Sequence, residues 1–436
     1  MNDNALKYAV ILLIAVLFPL CASADDDEVK AGDVKNALGL DVAEYDSLCA
    51  ERDAPADTGA VYTAYFDRSL DSLVHEWFVV NTFAAAPCDT SDTVIRYPDS
   101  VYIARLQQLP YIMEMPFNSI VKSYIEMYAR RHKQVGYMLG IGEAYYFPMF
   151  EQTLAKYNVP LELKYLPVIE SALNARAVSP AGASGLWQFM VSTGRIYGLE
   201  VNSLVDERRD PRKSTDAAAR YLSDLYQLYG DWHLVIAAYN CGPGNVAKAI
   251  RAAGGKKDYW SIYPYLPRET RGYVPIFIAA NYIMNNYASH GICPAVPQVK
   301  GLTDTVMITD RVHLQQIADK LAIPLDELRF LNPQYRYDII PGNIKAYPLV
   351  LPLDEINSYA LNRDSILAYR PELAKRQVKV DPAGYGSGDV IYYRVKSGDT
   401  LGGIALKYRV TVSQLKRWNG IRGTLIRAGQ RLRIYK

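Results

Sequence analysis

The period of the hydrophobic pattern changes once along the chain, at Pro294-Ala295-Val296-Pro297. Before this point apolar residues recur at helical spacing, for example at Ile120, Tyr124 and Tyr128. After it, short strand-like runs alternate with short helical stretches. Because helices and strands bury their apolar residues at different periods, the chain must divide here into different folding units. We expect an all-α globular domain over residues 97 to 295.

Local signals fix two helices of this domain. Asp210-Pro211 supplies an N-cap followed by proline at the first helical position, and Gly230 follows the last periodic residue, Tyr229. A second long helix is predicted from Thr270 to Ala288, with Pro275 near its start.

Residues 302 to 353 and 391 to 436 are two copies of one small α+β unit of the βααβ type, joined by a linker over residues 354 to 388. Asn332 and Asn419 fall at the same place in the two copies, just after the second helix. The expected elements are Thr305–Ile308, Leu314–Leu321, Leu325–Leu331 and Ala346–Leu351 in the first copy, and Ile391–Val395, Leu401–Tyr408, Ser413–Trp418 and Arg431–Tyr435 in the second.

The net charge of +2 is the sum of an acidic region and a basic region. Residues 391 to 436 hold eleven Lys and Arg against one acid, a net charge of +10. Residues 1 to 24 balance, so residues 25 to 390 carry −8. The chain is therefore an acidic body with a basic C-terminal unit. It contains no nucleic-acid-binding motif, and we expect no nucleic-acid partner.

The N-terminus predicts export. Lys7 precedes an apolar run from Tyr8 to Leu20, which is shorter than the roughly 20 residues that span a bilayer, and Ala22-Ser23-Ala24 resembles a cleavage site. Residues 1 to 24 are interpreted as a signal peptide, with an uncleaved anchor or lipidation at Cys21 as alternatives. The mature protein is then expected in the periplasm or cell envelope, soluble or peripherally bound to a membrane. Residues 25 to 96 are interpreted as a poorly packed acidic leader.

Cleavage after Ala24 would leave four cysteines, and the sequence cannot choose among their three pairings. Cys241 is equally consistent with a small buried thiol. No Cys/His cluster has the spacing of a zinc site, and we expect neither metal nor cofactor. The four are Cys49, Cys88, Cys241 and Cys293.

Glu170 is the best catalytic candidate from its surroundings. It lies late on a helix that Pro160 opens, and Leu166, Pro167 and Ile169 flank it. Desolvation by such neighbours raises the pKa of a carboxyl, which keeps it protonated near neutral pH as a general acid requires. A helix-terminal glutamate in a salt bridge fits the same local pattern.

Two polar, glycine-containing segments follow Glu170, at residues 179 to 188 and 238 to 245. Glycine lets the backbone approach a ligand closely, and Gln, Asn and Tyr can bond sugar hydroxyl and acetamido groups. The chain has 35 Tyr against 10 Phe. This excess suits a carbohydrate groove, where a ring needs a stacking face and a polar edge.

These motifs together resemble the lysozyme-like lytic transglycosylases that carry LysM modules. Glu170-Ser171, Gly185-Leu-Trp-Gln188, Ala238-Tyr-Asn-Cys-Gly242 and Tyr273 occur in the order and approximate spacing of that family, within residues 97 to 290. The resemblance implies a goose-type lysozyme-like helical fold. It also implies cleavage of the β-1,4 bond between N-acetylmuramic acid and N-acetylglucosamine, with formation of 1,6-anhydro ends.

The resemblance assigns roles to matching residues. Glu170 would protonate the glycosidic oxygen and then act as base on the muramyl 6-hydroxyl, and Tyr273 would orient its carboxyl. Trp187 stands where many relatives have Met, and Cys241 fills a variable position, but neither change removes a chemical role. The residues implied to line the saccharide cleft are Ser179, Gln188, Met190, Thr193, Tyr239 and Asn240.

A second catalytic carboxyl is not evident from spacing. Glu162 lies eight residues before Glu170, about 12 Å along a helix, and Glu269 is better interpreted as a charge at a helix N-terminus. Asp206 and Asp210 remain candidates for a second catalytic carboxyl. A lone acid favours the transglycosylase. The alternatives are a muramidase-type hydrolase, with water activated by another carboxylate, and a non-catalytic peptidoglycan-binding scaffold.

Val395-Lys-Ser-Gly-Asp-Thr-Leu401 resembles the opening of a LysM module, which implies binding of N-acetylglucosamine-containing polymers. A spacer without binding is the alternative. The first copy has Thr309–His313 in place of the Gly-Asp-Thr turn, so we interpret it as a degenerate module whose binding is in doubt. The residues expected to bind glycan are Gly398, Asp399, Thr400 and Asn419.

Overall fold

The computed structural model describes residues 83–84, 94–179, 181–297 and 302–370, and residues 390–435 apart from 397–398, 409, 411, 422, 424 and 428. The signal peptide predicted over residues 1 to 24, and Cys49 and Cys88, lie outside the described residues. The described α-helices of the first domain, α1 to α12, are Asp99–Gln107, Ser119–Ala129, His132–Ile141, Phe147–Lys156, Leu166–Ser171, Val191–Ile196, Pro211–Tyr229, Trp232–Cys241, Pro243–Ala252, Tyr259–Ile262, Arg268–Arg271 and Tyr273–Asn286.

Helix α7 has the ends that the sequence predicts. Asp210 accepts hydrogen bonds from the amides of Arg212 and Lys213, both at 3.0 Å, so the exposed first turn is satisfied. Gly230 ends the helix with φ of 67°, a conformation that favours glycine. These two residues confirm the predicted bounds, Pro211–Tyr229.

The predicted single helix from Thr270 to Ala288 is instead two helices, α11 and α12. Pro275 lies in the first turn of α12, where its missing amide hydrogen costs no intrahelical bond. A helix continuing from α11 would lose that bond and break at the same place.

Helix α12 forms the centre of the first domain. Every residue from Tyr273 to Met284 is buried. A helix that is apolar on all sides must be surrounded, and α2 packs along it while α5 and α8 contact it at other faces. One continuous hydrophobic core results, and it holds the first residue of α12, Tyr273, in a fixed place.

The end of the first domain joins a two-residue strand that lies within the predicted leader. Strand β1, Phe83–Ala84, pairs antiparallel with β2, Val296–Pro297. The rest of the predicted leader is described only from residue 94 onward. Cys293, just before β2, is disulfide-bonded, and its partner lies outside the described residues.

The first small module has the predicted βααβ order with additions. Its outer pair runs antiparallel from Thr303 opposite Pro352 to Ile308 opposite Tyr347. A second antiparallel pair joins the ends of the helical segment. The elements are β3 Thr303–Ile308, β4 Arg311–His313, α13 Leu314–Leu321, α14 Leu325–Leu331, β5 Ile339–Pro341 and β6 Tyr347–Pro352.

The linker predicted from residue 354 begins later than expected. Helix α15, Ile356–Ala368, places Tyr359 and Ile366 in the hydrophobic core of the first module. Gln316 of α13 also donates to the carbonyl oxygen of Ile366 at 2.9 Å. Ile356 and Leu367 also pack, partly buried, against this core. The prediction was wrong for residues 356 to 368 because the six residues between Tyr359 and Ile366 are all exposed and interrupt the helical period.

The second module is βααβ as predicted. Its strands pair antiparallel from Val390 opposite Tyr435 to Arg394 opposite Arg431. The four elements are β7 Val390–Arg394, α16 Leu401–Tyr408, α17 Val412–Asn419 and β8 Arg431–Tyr435. Leu415, Leu432 and Ile434 lie in its small core. The predicted fold class, mostly α followed by small α+β modules, is confirmed in this respect. Among the described helices, none combines the length and the apolar composition that crossing a membrane requires.

Candidate active site

Glu170 occupies the last turn of α5. The chain enters this helix from Pro160 through a 3-10 segment, Leu161–Tyr165, and leaves it through two left-handed residues, Ala172 and Leu173. The carboxyl is half-buried, and burial raises its pKa to about 7. At neutral pH Glu170 is therefore poised to give up a proton and to take one back.

Two tyrosines face this carboxyl. The Tyr273 hydroxyl donates a hydrogen bond to Glu170 Oε1, and this bond lowers the carboxyl pKa against the larger effect of burial. Burial raises the pKa of the Tyr239 phenol well above its usual value, and the charge of nearby Glu170 raises it further. Both phenols therefore stay protonated and act as donors. The structure brings together Glu170, Tyr239 and Tyr273 from helices α5, α8 and α12.

The segment from Ser179 to Met190, termed here the cleft loop, requires glycine at one position. Gly185 has φ of +88°, and a Cβ atom there would lie 1.8 Å from the carbonyl oxygen of Arg208. A side chain at residue 185 would have to displace backbone. This glycine lets the cleft loop pack directly on the Arg208 segment.

The cleft loop is bonded to the residues around Glu170. Ser171, the residue after the carboxyl, is buried and donates to the carbonyl oxygen of Leu186 at 2.9 Å. The Tyr239 hydroxyl donates to the carbonyl oxygen of Trp187 at 2.7 Å. Trp187 itself is buried and donates to Thr215 at 2.9 Å. The position of the loop and the position of the carboxyl are therefore linked.

Ser179 and Gln188 shape the loop from within. Ser179 Oγ accepts from the amide of Ala183 at 3.0 Å, and Gln188 Nε2 donates to the carbonyl oxygen of Gly185 at 2.8 Å. Gln188 also has φ of +46°, a left-handed conformation that the loop imposes on it. Their contact with a saccharide stays a prediction.

Three more predicted residues, Met190, Thr193 and Asn240, lie at or just after the end of the cleft loop or directly after Tyr239 in the chain. Met190 ends the cleft loop and is 43% exposed, and Thr193 follows in α6, half-buried. Asn240 is exposed next to Tyr239, and its Oδ1 accepts from the Thr270 hydroxyl at 2.9 Å. These placements leave all three available to a ligand, and their role in binding stays a prediction.

Two further aromatic residues extend the surface beside Tyr239, and no motif in the sequence pointed to them. The ring of Tyr221 lies 5.4 Å from that of Tyr239, and Tyr197 lies 5.3 Å from Tyr221, between centroids. Phe189 of the cleft loop packs on Tyr239 at 6.3 Å. The excess of tyrosine indicated such a surface but could not say which of 35 residues form it.

The other candidate carboxylates are engaged in the fold. Glu162 is buried and accepts from the amides of Ile112 and Met113 at 2.9 and 2.8 Å. Asp210 caps α7. Burial alone would raise the pKa of Asp206, but bonding and attraction from Arg208, Arg336 and Arg209 lower it to about 2. These partners hold all three acids in structural roles.

Cys241 is a free thiol at the end of α8. Burial raises its pKa to about 11, so it stays protonated and is a poor nucleophile. The structure thus shows Cys241 as a free, half-buried thiol, rather than the fully buried one that the sequence suggested.

The second module places its predicted residues at two turns. Thr400 Oγ1 accepts from the amide of Gly403 at 3.0 Å and caps α16, while Asp399 accepts from Tyr393 and from the amide of Lys396, both at 2.7 Å. Gly398 lies outside the described residues.

Asn419 and Asn332 make matching bonds in the two modules. Asn419 Nδ2 donates to the carbonyl oxygens of Leu415 and Arg433, both at 2.8 Å, and its Oδ1 accepts from the amide of Arg433. Asn332 makes the same three bonds with Leu328 and Val350. The equivalence of the two asparagines is confirmed. These bonds tie the second helix to the last strand, and glycan binding by Asn419 stays a prediction.

Comparison with protein families divides the chain in the same way. Residues 148–262 match the transglycosylase SLT domain, residues 302–368 the LysM-like domain of lytic transglycosylase MltD, and residues 393–434 the LysM domain. The second match includes α15. With the helical architecture, these matches confirm the lysozyme-like, mostly helical fold class with LysM-type modules behind it.

The chain belongs to the lytic murein transglycosylases. It is 32% identical over 327 residues to membrane-bound lytic murein transglycosylase D of Escherichia coli K12, covering 74% of this chain and 70% of that protein. It is also 34% identical over 116 residues to the soluble lytic murein transglycosylase of the same strain, covering 25% of this chain and 18% of that one.

Solved structures of soluble lytic transglycosylases are also similar to this chain. The 70-kDa enzyme in complex with bulgecin A is 19% identical with a TM-score of 0.32, and covers 52% of this chain and 42% of its own. The enzyme from Escherichia coli at 1.65 Å is 18% identical with a TM-score of 0.31. The chain spans less than half the length of each of these two solved enzymes.

Proposed function

We propose that this protein is a peptidoglycan lytic transglycosylase in which Glu170 serves first as acid and then as base. The observation that carries the proposal is the state of this carboxyl. It has a pKa of about 7, it is held by Tyr273, and the other candidate acids of the first domain are engaged elsewhere.

In the first step, protonated Glu170 donates its proton to the oxygen of the β-1,4 bond between N-acetylmuramic acid and N-acetylglucosamine. The bond from the anomeric carbon to that oxygen breaks, the N-acetylglucosamine 4-hydroxyl leaves, and positive charge develops on the muramyl ring. Loss of the proton leaves a carboxylate, which the Tyr273 hydroxyl stabilises by its hydrogen bond.

In the second step, the Glu170 carboxylate takes the proton of the muramyl 6-hydroxyl while that oxygen attacks the anomeric carbon. A 1,6-anhydro ring closes, and Glu170 is protonated again for the next cycle. No water enters the product. A pKa near neutrality suits both steps, because the same group must release a proton and then regain one.

The engagement of the other candidate acids in the described part of the first domain favours this reaction over hydrolysis. A hydrolase needs a second carboxylate to activate water or to attack the sugar, at roughly 5 to 10 Å from the acid. Glu162, Asp206 and Asp210 bond backbone amides or arginines instead. Intramolecular attack by the 6-hydroxyl makes such a partner unnecessary.

The C-terminal module is proposed to hold the enzyme on peptidoglycan. Its LysM match and its net charge of +10 support contact with an anionic glycan polymer. A curated relative is named as membrane-bound, and an envelope location follows for this chain. Export by residues 1 to 24 and peripheral membrane association are proposed on the sequence signals alone.

The proposal is tested by digesting purified sacculi with the wild-type protein and with Glu170→Gln. The wild type should release muropeptides, and the variant should lose about 10³-fold or more in rate while still sedimenting with sacculi. Glu269→Gln, the same change at an exposed glutamate of the first domain, should retain wild-type activity. Cleavage by Glu170→Gln near the wild-type rate would refute the assignment of the acid.

A further inference from the structure

Asp206 joins the first domain and the first LysM-like module through one buried carboxylate. Its side chain is fully buried, and it accepts from Arg208 Nε and Nη2 at 2.9 and 2.8 Å. Its Oδ2 atom also accepts from Arg336 Nη2 at 2.7 Å, and Arg209 Nε lies 3.9 Å away. Two of these arginines belong to the first domain, whereas Arg336 belongs to the first LysM-like module.

One side of this cluster holds the cleft loop. Arg208 Nη1 donates to the carbonyl oxygens of Gly182 and Phe189 at 2.8 and 2.9 Å, so a single guanidinium bonds both sides of the loop. Arg209 Nε donates to Ser184 Oγ at 3.1 Å. The guanidinium of Arg208 keeps this geometry only while Asp206 fixes its other edge, since a planar fork bonded on both sides cannot rotate.

The other side of the cluster holds the first module. The amide of Asp206 donates to the carbonyl oxygen of Gln334 at 2.8 Å, and the amide of Arg336 donates to that of Leu204 at 2.7 Å. Leu204 and Val205 are buried within the hydrophobic core of the module. This segment of the first domain is therefore part of the folding unit of the module as well.

The contact extends beyond the cluster. Tyr347 donates to Glu200 Oε1 at 2.8 Å, Lys345 lies 2.6 Å from Glu200 Oε2, and the ring of Phe330 lies 5.4 Å from that of Tyr145. Backbone bonds, ion pairs and rings at separate points leave little freedom for the module to move against the first domain.

We propose that Arg336 is a positioning residue for the reaction, acting through Asp206 and Arg208 on the cleft loop. The first LysM-like module then serves as a fixed support of the active site. This inference rests on the proposed function. The path from Arg336 to Glu170 runs through Asp206, Arg208, the carbonyl oxygens of the loop, and the bond from Ser171 to Leu186.

The test is steady-state kinetics on soluble glycan fragments with Arg336→Met in the full chain. We expect kcat to fall about tenfold or more with KM within about twofold, because a displaced loop misaligns the reacting groups more than it weakens binding. Arg336→Lys, which keeps the charge, should restore part of kcat. Arg336→Gln replaces Arg336→Met if thermal melting shows that the methionine variant is unfolded.

Two matched changes in the same module serve as controls. Arg329→Met removes the ion pairs with Asp326 and Asp338 inside the module, and Lys345→Met removes an ion pair of the same interface that has no bond to the cleft loop. Both should keep kcat within about twofold of wild type. Wild-type kcat in folded Arg336→Met, or an equal loss in the controls, would overturn the inference. A wild-type protein that releases no product would instead count against the proposed function.

Discussion

Two opposing effects set the pKa of the Glu170 carboxyl. Burial raises the pKa of its carboxyl, and the hydrogen bond from Tyr273 lowers it, with a net value of about 7. The apolar neighbours of Glu170 in the sequence indicated the first effect, burial. The resemblance implied the second, since Tyr273 lies 103 residues away and only the packing of α12 against α5 brings the two together.

The carboxyl pKa predicts a pH dependence. Because the first step needs protonated Glu170, kcat/KM should fall about tenfold per pH unit above pH 7. Tyr273→Phe removes the bond that lowers the pKa, so the alkaline limb should move to higher pH while kcat falls. Rates on soluble glycan fragments from pH 5 to 9 measure both effects.

Tyr226→Phe provides the matched control for this pH profile. Tyr226 stacks on Trp232 at the exposed side of α7, and the profile of this variant should coincide with that of wild type. A shift of the Tyr273→Phe limb to lower pH would contradict the assigned hydrogen bond.

The sequence could not settle the roles of the other acids. Asp206 and Asp210 remained open as catalytic partners because a sequence does not show what a carboxylate bonds. Asp210 was interpretable as a helix cap, since its bonds are local. The bonds of Asp206 reach Arg336, 130 residues away, and only the tertiary structure shows them.

At the level of helices and strands, sequence signals predicted the bounds of an element where its ends are fixed by bonds between neighbouring residues. Caps and proline gave the bounds of α7, and the repeated pattern gave α13, α14, α16 and β8 to the residue. Helix α15 was missed because its burial depends on a partner surface rather than on its own period. The cleft loop was recognised by its glycines, but its attachment to Arg208 was not.

The two glycines of the cleft loop offer a matched test of that attachment. Gly182 and Gly185 have φ of +89° and +88°, but a Cβ atom meets no other atom within 4 Å at Gly182, whereas at Gly185 it would lie 1.8 Å from the Arg208 carbonyl oxygen. Gly182→Ala should cost about 1–2 kcal/mol from strain alone. Gly185→Ala should cost about 3 kcal/mol or more and abolish most activity.

Denaturant unfolding and sacculus digestion of both variants check this prediction. Equal losses of stability in the two alanine variants would show that packing on Arg208 does not matter.

At the level of the whole molecule, the part of the chain that contains the catalytic domain is acidic and the C-terminal module is basic. The near-neutral total is the sum of −8 over residues 25 to 390 and +10 over residues 391 to 436. The first module is held by the catalytic domain through buried bonds, whereas the second carries the basic charge. The two modules have similar folds and different surroundings, which their sequences did not reveal.

Attachment by charge predicts a salt dependence. Because salt screens exposed charges, raising ionic strength from about 0.05 to 0.5 M should weaken sacculus binding of Glu170→Gln more than it slows wild-type cleavage of soluble fragments. Replacing exposed Arg394, Arg427 and Arg433 with Gln should reduce this salt dependence.

The same three-charge reduction on the catalytic domain, at Lys133, Arg251 and Lys257, is the matched control and should leave the salt dependence unchanged. Sedimentation with sacculi measures each case. Equal salt effects on binding and on cleavage would assign attachment to sugar contacts alone.

In the proposed reaction the muramyl 6-hydroxyl, and not water, attacks the anomeric carbon after Glu170 has protonated the leaving oxygen. Mass spectrometry of muropeptides released from sacculi in H₂¹⁸O tests it directly. We expect products that are lighter by one water than hydrolytic products and contain no ¹⁸O at the new end. Products of full hydrolytic mass carrying ¹⁸O would contradict it.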